Sequence, residues 1–168
     1  LVNVSWHAVP LDFYGQTFTA AERAAGVLKY KGYSVVMHKE RRLAFYSAAN
    51  IAAGKFRGSR DADGDTWYRD TRVDELDQAA QLGREFYKKQ REFEADRTMN
   101  PFDQGHLTRR RDLQWGDDDD EAKRNGDDSY HYTNCSPQHW QFNQDSKVNG
   151  LWFRLEELVV QAVAAAAN

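Results

Sequence analysis

Cysteine is almost absent from this chain. Cys135 stands alone, so no intrachain disulfide can brace the fold. A lone cysteine agrees with a reducing compartment but excludes no location. Long apolar runs are missing as well. No stretch approaches the roughly 18 apolar residues that a membrane-spanning helix needs. The opening LVNVSWHAVPLDFYG has neither the basic leader nor the apolar core of a signal peptide. Metal-ligand patterns of the zinc kind are lacking too. His38, His106, His131, His139 and Cys135 show neither H-E-x-x-H nor paired-cysteine spacing, which disfavours a zinc hydrolase. DADGD at 61–65 fails the EF-hand pattern, because its glycine does not follow the third acid and no glutamate stands six residues on. Neither internal repeats nor a second domain can be seen. The chain begins at Leu1 without a methionine and reads as a processed product or an excised piece.

What remains has the makings of one domain over 1–168. With 40% hydrophobic, 13% aromatic and 29% charged residues, 168 positions suffice to bury a real core. The net charge of -3 is a sum of opposed blocks. Residues 28–60 carry Lys29, Lys31, Lys39, Arg41, Arg42, Lys55, Arg57 and Arg60 against Glu40 alone, giving +7. DDDDEAKRNGDD, at 117–128, sets seven acids against two bases, giving -5, so the chain without it sums to +2. Either block reads most simply as a solvated face, and the overall charge decides nothing about partners. Bacterial cytoplasmic and secreted locations both stay open.

Along the chain, GYSVVMHKERRLAFYSAANI (32–51) predicts two strands around a short polar turn, with Tyr33, Val35 and Met37 alternating in the first. The glycine-containing stretch after it predicts a loop. Residues 74–96 predict helix, with Gly83 as a break and Phe86, Tyr87 and Phe93 forming an aromatic edge. Asn100-Pro101 stops that helix and starts an extended segment. SYHYTNCSP (129–137) predicts a strand ended by proline, with a loop between it and His106. From QHWQFNQ onwards the pattern is helical, interrupted at DSKVNG (145–150). Leu151, Leu155, Leu158 and Val159 then share one helical face.

Two stretches carry chemistry. FDQGHLTRRRDLQWG (102–116) places His106 after a glycine, with Arg109, Arg110 and Arg111 close behind. HYTNCSPQHWQFNQ (131–144) adds amides at a strand and helix. Phosphodiester hydrolysis needs a base for water, a cation for the developing charge, and positive groups for the backbone. Histidine, which titrates near about 6.5, suits the first role. A hard divalent cation on an oxygen ligand, keeping most of its waters, suits the second. Arginine suits the third through its fork geometry. A lone histidine after glycine is more often structural, however, and a helical asparagine is more often solvated. The residues alone leave both readings open.

DQGH, followed by TNCSPQ, FNQ and LWFRLEE in that order, resembles the DNA/RNA non-specific endonuclease family, whose signature runs D-R-G-H, N-x-x-P-Q, a helical asparagine and W-x-x-L-E. The resemblance is firm over 102–157, about a third of the chain; the upstream strand pair and GDTWYRD are less diagnostic. It implies an α+β fold, mainly an antiparallel sheet with packed helices, holding a ββα-metal unit at about 102–157. It implies an Mg2+-dependent endonuclease, with Mn2+ as substitute, acting on DNA and RNA without sequence preference and leaving 5'-phosphate ends. His106 would be the general base, Asn143 the direct metal ligand, Asp103 a positioning group and Glu156 a contact to metal-bound water. Asn134 and Gln138 would brace the site. Binding dominated by phosphate should weaken steeply with salt.

The chain departs from the family pattern in three ways. Gln104 replaces the signature arginine, a charge that Arg109, Arg110 or Arg111 could supply to the substrate. Five extra residues separate Asn143 from Trp152, so the helix bearing Glu156 could start differently. The family's further C-terminal strands do not follow, so another chain or a missing segment would complete the fold. Two alternatives accompany the nuclease reading: a catalytically weak nucleic-acid-binding module that retains the fold, and the nuclease module of a larger effector.

Overall fold

The computed structural model describes residues 27–38, 41–52, 56–57, 66–76, 81–91, 101–144 and 149–166. The 61–65 calcium question, Phe93, Asn100 and most of the 145–150 interruption lie outside them. Three short strands come first: β1 (Val27–Lys29), β2 (Tyr33–His38) and β3 (Leu43–Ala49), paired antiparallel in that order. The expected alternation in β2 is there, with Tyr33, Val35 and Met37 buried, but Val36 is buried as well. A bulge explains the departure. Val36 pairs with Tyr46 while Met37 pairs with Ala44, so Phe45 is the extra residue and the pleat loses its phase.

Helices α1 (Thr71–Leu76) and α2 (Arg84–Arg91) follow, and Gly83 stands outside the helix immediately before α2, as the expected break. Strand β4 (Phe102–His106) then runs into α3 (Arg110–Leu113) and α4 (Asp119–Asp128). The connection expected to be loop is therefore largely helical. Its acid run is a helix start. Asp118 accepts from Glu121 N at 2.7 Å, and Glu121 in turn accepts from Asp117 N at 2.8 Å. Acids in the first turn also face the positive end of the helix dipole.

After a 3-10 turn at Tyr132–Asn134 comes β5 (Cys135–His139), shorter and later than the strand expected at 129–137. Pro137 falls inside it rather than ending it. Its pairing partner is Gln104, and among the described residues β5 has β4 alone as a sheet neighbour, so the missing N–H breaks no ladder there. Helix α5 (Trp140–Asn143) leaves β5 directly, and α6 (Leu151–Ala166) follows. Sheets of antiparallel strands with helices around them make the fold α+β, as expected.

Two apolar clusters hold these parts. Leu28, Val35, Met37, Val73 and Leu113 meet under the three-stranded sheet, with Tyr30 and Tyr33 stacked 4.5 Å apart at their edge. Leu82, Tyr87, Tyr132 and Cys135 form the second, with Leu43, Trp67 and Phe86 against it. Each fully buried aliphatic side chain contributes about 1.5–3 kcal/mol. The second cluster lies behind β5 and gives the β4–β5 pair its backing.

The polar edge between the clusters is fully used. Asp70 accepts from Tyr30 and from both arms of Arg72, and its backbone pairs with the Gln81 side chain at 3.1 and 2.7 Å. Among the described residues, no helix is long and apolar enough to cross a membrane.

The extra residues before α6 are absorbed at their base. Gly150 N donates to Gln144 O at 2.8 Å, which closes the insertion and starts α6 beside the end of α5. A Cβ on Gly150 would lie 2.4 Å from the Phe142 carbonyl oxygen and 2.8 Å from that of Gln144. Both are backbone atoms that cannot swing aside. Gly150→Ala is therefore expected to lower stability by about 1–3 kcal/mol, read as a fall in the urea midpoint. An unchanged midpoint would mean that α6 does not start against α5.

Candidate active site

Three groups of side chains gather along β4 and the turn that follows it. The first joins β4 to α5. Asp103 Oδ2 accepts from Asn143 Nδ2 at 3.3 Å and from Gln144 Nε2 at 2.8 Å. With its nitrogen committed to the carboxylate, Asn143 has Oδ1 as the amide atom left to meet a cation. Helix α5 can present this amide because it starts directly off β5, and Trp140 N bonds Pro101 O at 2.7 Å across the base of the strand pair.

The second group surrounds His106, at the C-terminal end of the same strand. Its ring lies 4.4 Å from Trp67 at a 37° tilt and 4.8 Å from Tyr130 in an edge-on contact. Two aromatic walls fix the plane of the imidazole. Trp67 reaches it because its neighbour Tyr68 bridges to the segment before β5, donating to Tyr130 O and accepting from Tyr132 N, both at 2.8 Å. Sequence reasoning noticed GDTWYRD but gave Trp67 no role, and it missed Tyr130 altogether. A tryptophan 39 positions before His106 leaves no spacing signal, since only the fold brings the two together.

The bracing residues act on the backbone. Gln138 Nε2 donates to His106 O at 3.1 Å. Gln138 lies so close over β4 that a Cβ on Gly105 would come within 2.1 Å of its Oε1, which is why glycine precedes the histidine. Asn134 is fully buried. Its Oδ1 accepts from Thr108 N at 2.9 Å, and its Nδ2 donates to Thr108 O and Ser129 O at 2.8 and 3.0 Å. Gln104 is half-buried on β4, opposite Pro137.

The third group is ionic. Arg109 donates through Nε and Nη2 to Asp112 Oδ1 at 3.1 and 2.6 Å, and through Nη1 to Glu157 Oε1 at 2.7 Å. Its Nε also lies 3.7 Å from Glu156 Oε2. Arg111 shares Glu157 at 2.8 Å and lies over the Phe56 ring, while Arg110 pairs with Asp127 at 3.2 Å. Arg109 and Arg111 thus share Glu157 while Arg110 turns to Asp127, and Glu156 meets the arginine turn.

Among the described residues, no three His, Cys, Asp or Glu side chains form a metal-binding group. The oxygen donors that meet are those of Asp103 and Asn143, while the Glu156 carboxylate lies beside Arg109. That set fits a hard divalent cation held largely by water, and does not fit zinc.

A strand pair that carries a histidine and hands an amide to the following helix is the ββα arrangement. A family model described as DNA/RNA non-specific endonuclease matches residues 13–168. The chain belongs to that family. An uncharacterized protein of Sinorhizobium fredii (strain NBRC 101917 / NGR234), y4fB, is 36% identical over 161 residues. The match covers 95% of this chain and 21% of y4fB, so the nuclease-family chain spans about a fifth of that relative's length.

Within this family member, the Glu156 carboxyl is unusual. Burial pushes it up from 4.5 to about 7, with Arg109 opposing the rise and Asp112 adding to it. A carboxyl with a raised folded-state value favours its protonated form in the fold. Its contribution to stability is then fully present below the unfolded value and is lost as pH rises towards the folded one. Relative to Glu156→Gln, the metal-free protein should lose stability between about pH 4.5 and 7. The expected loss is about 2 kcal/mol, below the full 1.4 or so per pH unit because water reaches part of the group. Thermal melts of both proteins in EDTA across that window test this. A difference that stays flat would mean Glu156 is solvated.

Proposed function

We propose that this chain hydrolyses phosphodiester bonds of DNA and RNA without reading sequence, using His106 as general base and one Mg2+, for which Mn2+ can substitute, and leaving 5'-phosphate ends. The observation that carries the proposal is the Asp103–Asn143 contact on the strand that ends in His106. It commits the Asn143 amide nitrogen to Asp103, three residues before a histidine held between aromatic walls, and leaves the amide oxygen for a cation.

In this reading Asn143 Oδ1 is the protein's direct ligand, while Asp103 and Glu156 hold metal-bound water. When bound, the cation supplies positive charge against the phosphate and the leaving oxygen. His106 takes the proton from the attacking water as the new P–O bond forms. The bond from phosphorus to the 3'-oxygen breaks in line with it, giving a 3'-hydroxyl and a 5'-phosphate. Trp67 and Tyr130 hold the imidazole plane through the step. Gln138 and Asn134 fix the backbone on either side. Of the three arginines, Arg111 has the most open side chain, at 49% against 15% for Arg109 and 14% for Arg110. It is the one best able to turn to a phosphate in place of the charge absent at Gln104.

Purified chain with plasmid DNA and with RNA, in Mg2+ and then in EDTA, is the direct test. Cleavage in Mg2+, abolished by EDTA, is expected. His106→Ala and Asn143→Ala should each lower the rate by about 10²–10⁴-fold, the usual worth of a positioned base. Binding without cleavage under any metal would favour the alternative, a nucleic-acid-binding module. Trp67→Leu should lower kcat while leaving the KM for nucleic acid near its original value. A rise in KM alone would mean that Trp67 stacks on substrate rather than on His106.

A further inference from the structure

We propose that Arg109 is a positioning residue, whose guanidinium ties α6 to the turn after β4 and so holds Glu156 at the site. This rests on the nuclease reading above and assigns Arg109 away from substrate phosphate. The geometry is that of a clasp. Three donor directions of one guanidinium go to carboxylates: two to Asp112 on α3 and one to Glu157 on α6, with Glu156 3.7 Å from Nε. The side chain is 15% exposed, and reaching a phosphate would mean giving up buried charge-assisted bonds on both sides.

Helix α6 needs such a clasp. It has no buried residue, and Leu151 and Leu158 are 65% and 62% exposed, so little apolar contact fixes its angle. Its first turn is set by Gly150 against Gln144 and by the Phe142–Trp152 ring contact, with centroids 5.7 Å apart. One turn further on, Arg109 reaches both Glu156 and Glu157, while Arg111, more exposed, shares Glu157 at 2.8 Å. Because Arg109 stands three residues past His106, the same clasp sets Glu156 relative to the base. Lysine could not do this, since a single ammonium lacks the fork that meets Asp112 and Glu157 at once.

The test is a double-mutant cycle on the full chain, read in two ways. In cleavage assays at saturating Mg2+, Arg109→Met should lower kcat by about 10–100-fold, the usual effect of removing a group that orients a metal-site residue. KM for nucleic acid should not change, Arg109→Lys should recover only part of the loss, and the Mg2+ concentration for half-maximal rate should rise. In a Glu156→Gln background, Arg109→Met should add little further loss. Raised KM with unchanged kcat, or losses that multiply in the double variant, would overturn the proposal and return Arg109 to phosphate binding.

The second reading uses no activity. Urea midpoints of Arg109→Met, Glu157→Gln and the double variant should be non-additive. Additive shifts would show that no clasp exists. Should the unsubstituted chain fail to cleave, the nuclease reading falls by itself, and the unfolding cycle still decides whether Arg109 holds α6.

Discussion

The site hangs on one buried amide. Asn134 answers both the N–H and the C=O of Thr108, as a neighbouring strand would, and spends its remaining hydrogen on Ser129 O. Without it, three buried backbone groups would lose partners at about 1–3 kcal/mol each. Beyond stability, the bond fixes how the chain leaves β4 after His106. The turn that carries Arg109 starts there, Leu107 N bonds Asn134 O, and Thr108 Oγ1 meets Ser47 Oγ of β3 at 2.6 Å. One side chain thus joins the end of β4, the start of β5 and the three-stranded sheet. His106, the arginine turn and Gln138 inherit their places from it.

The charge pattern shows how far composition can be read. A basic block at 28–60 and an acidic block at 117–128 were plain in the sequence, and both read as solvated faces. In the fold they meet. Lys31 pairs with Glu121 at 3.3 Å and its N–H bonds Asp128, while Arg57 pairs with Asp119 and donates to Gly116 O. Exposed pairs of this kind contribute little stability each. Their consequence is electrostatic: part of the positive field that a polyanion would feel is already answered by the chain's own helix α4. Pairing across nearly ninety positions has no local signature, so the blocks were legible and their meeting was not.

The same distinction runs through the fold. Strands β2 and β3 followed from alternation, because a half-buried pleat writes its period into the residues. The bulge at Phe45 did not, since one extra residue leaves the local pattern intact on either side of it. The acid-rich stretch before β5 hid a helix, α4. Four acids in a row suggest solvation, and the capping role of Asp118 emerges only when Glu121 is seen to answer it. Helix α6 was legible as an amphipathic helix, but periodicity says only that the apolar side chains share a face, not what covers it.

In the candidate site, the polar groups are legible in one dimension and the apolar ones are not. Asp103, His106, Asn134, Gln138 and Asn143 could be named because each sits in a short motif whose order survives in one dimension. Trp67 and Tyr130 could not. An aromatic wall needs only bulk and a flat face, and the chain has 5 tryptophans, 8 tyrosines and 9 phenylalanines among which to hide it. The hard-cation site proposed above would deepen this asymmetry. Zinc demands several protein ligands and leaves them in recognisable spacing, whereas a cation that keeps most of its water asks the protein for one amide oxygen and a few second contacts. The specificity of such a site lies less in its ligand than in how rigidly that ligand and the base are held apart. That rigidity is supplied by Asp103 against Asn143, by Trp67 against His106 and by Asn134 behind both, and none of these contacts is local in sequence.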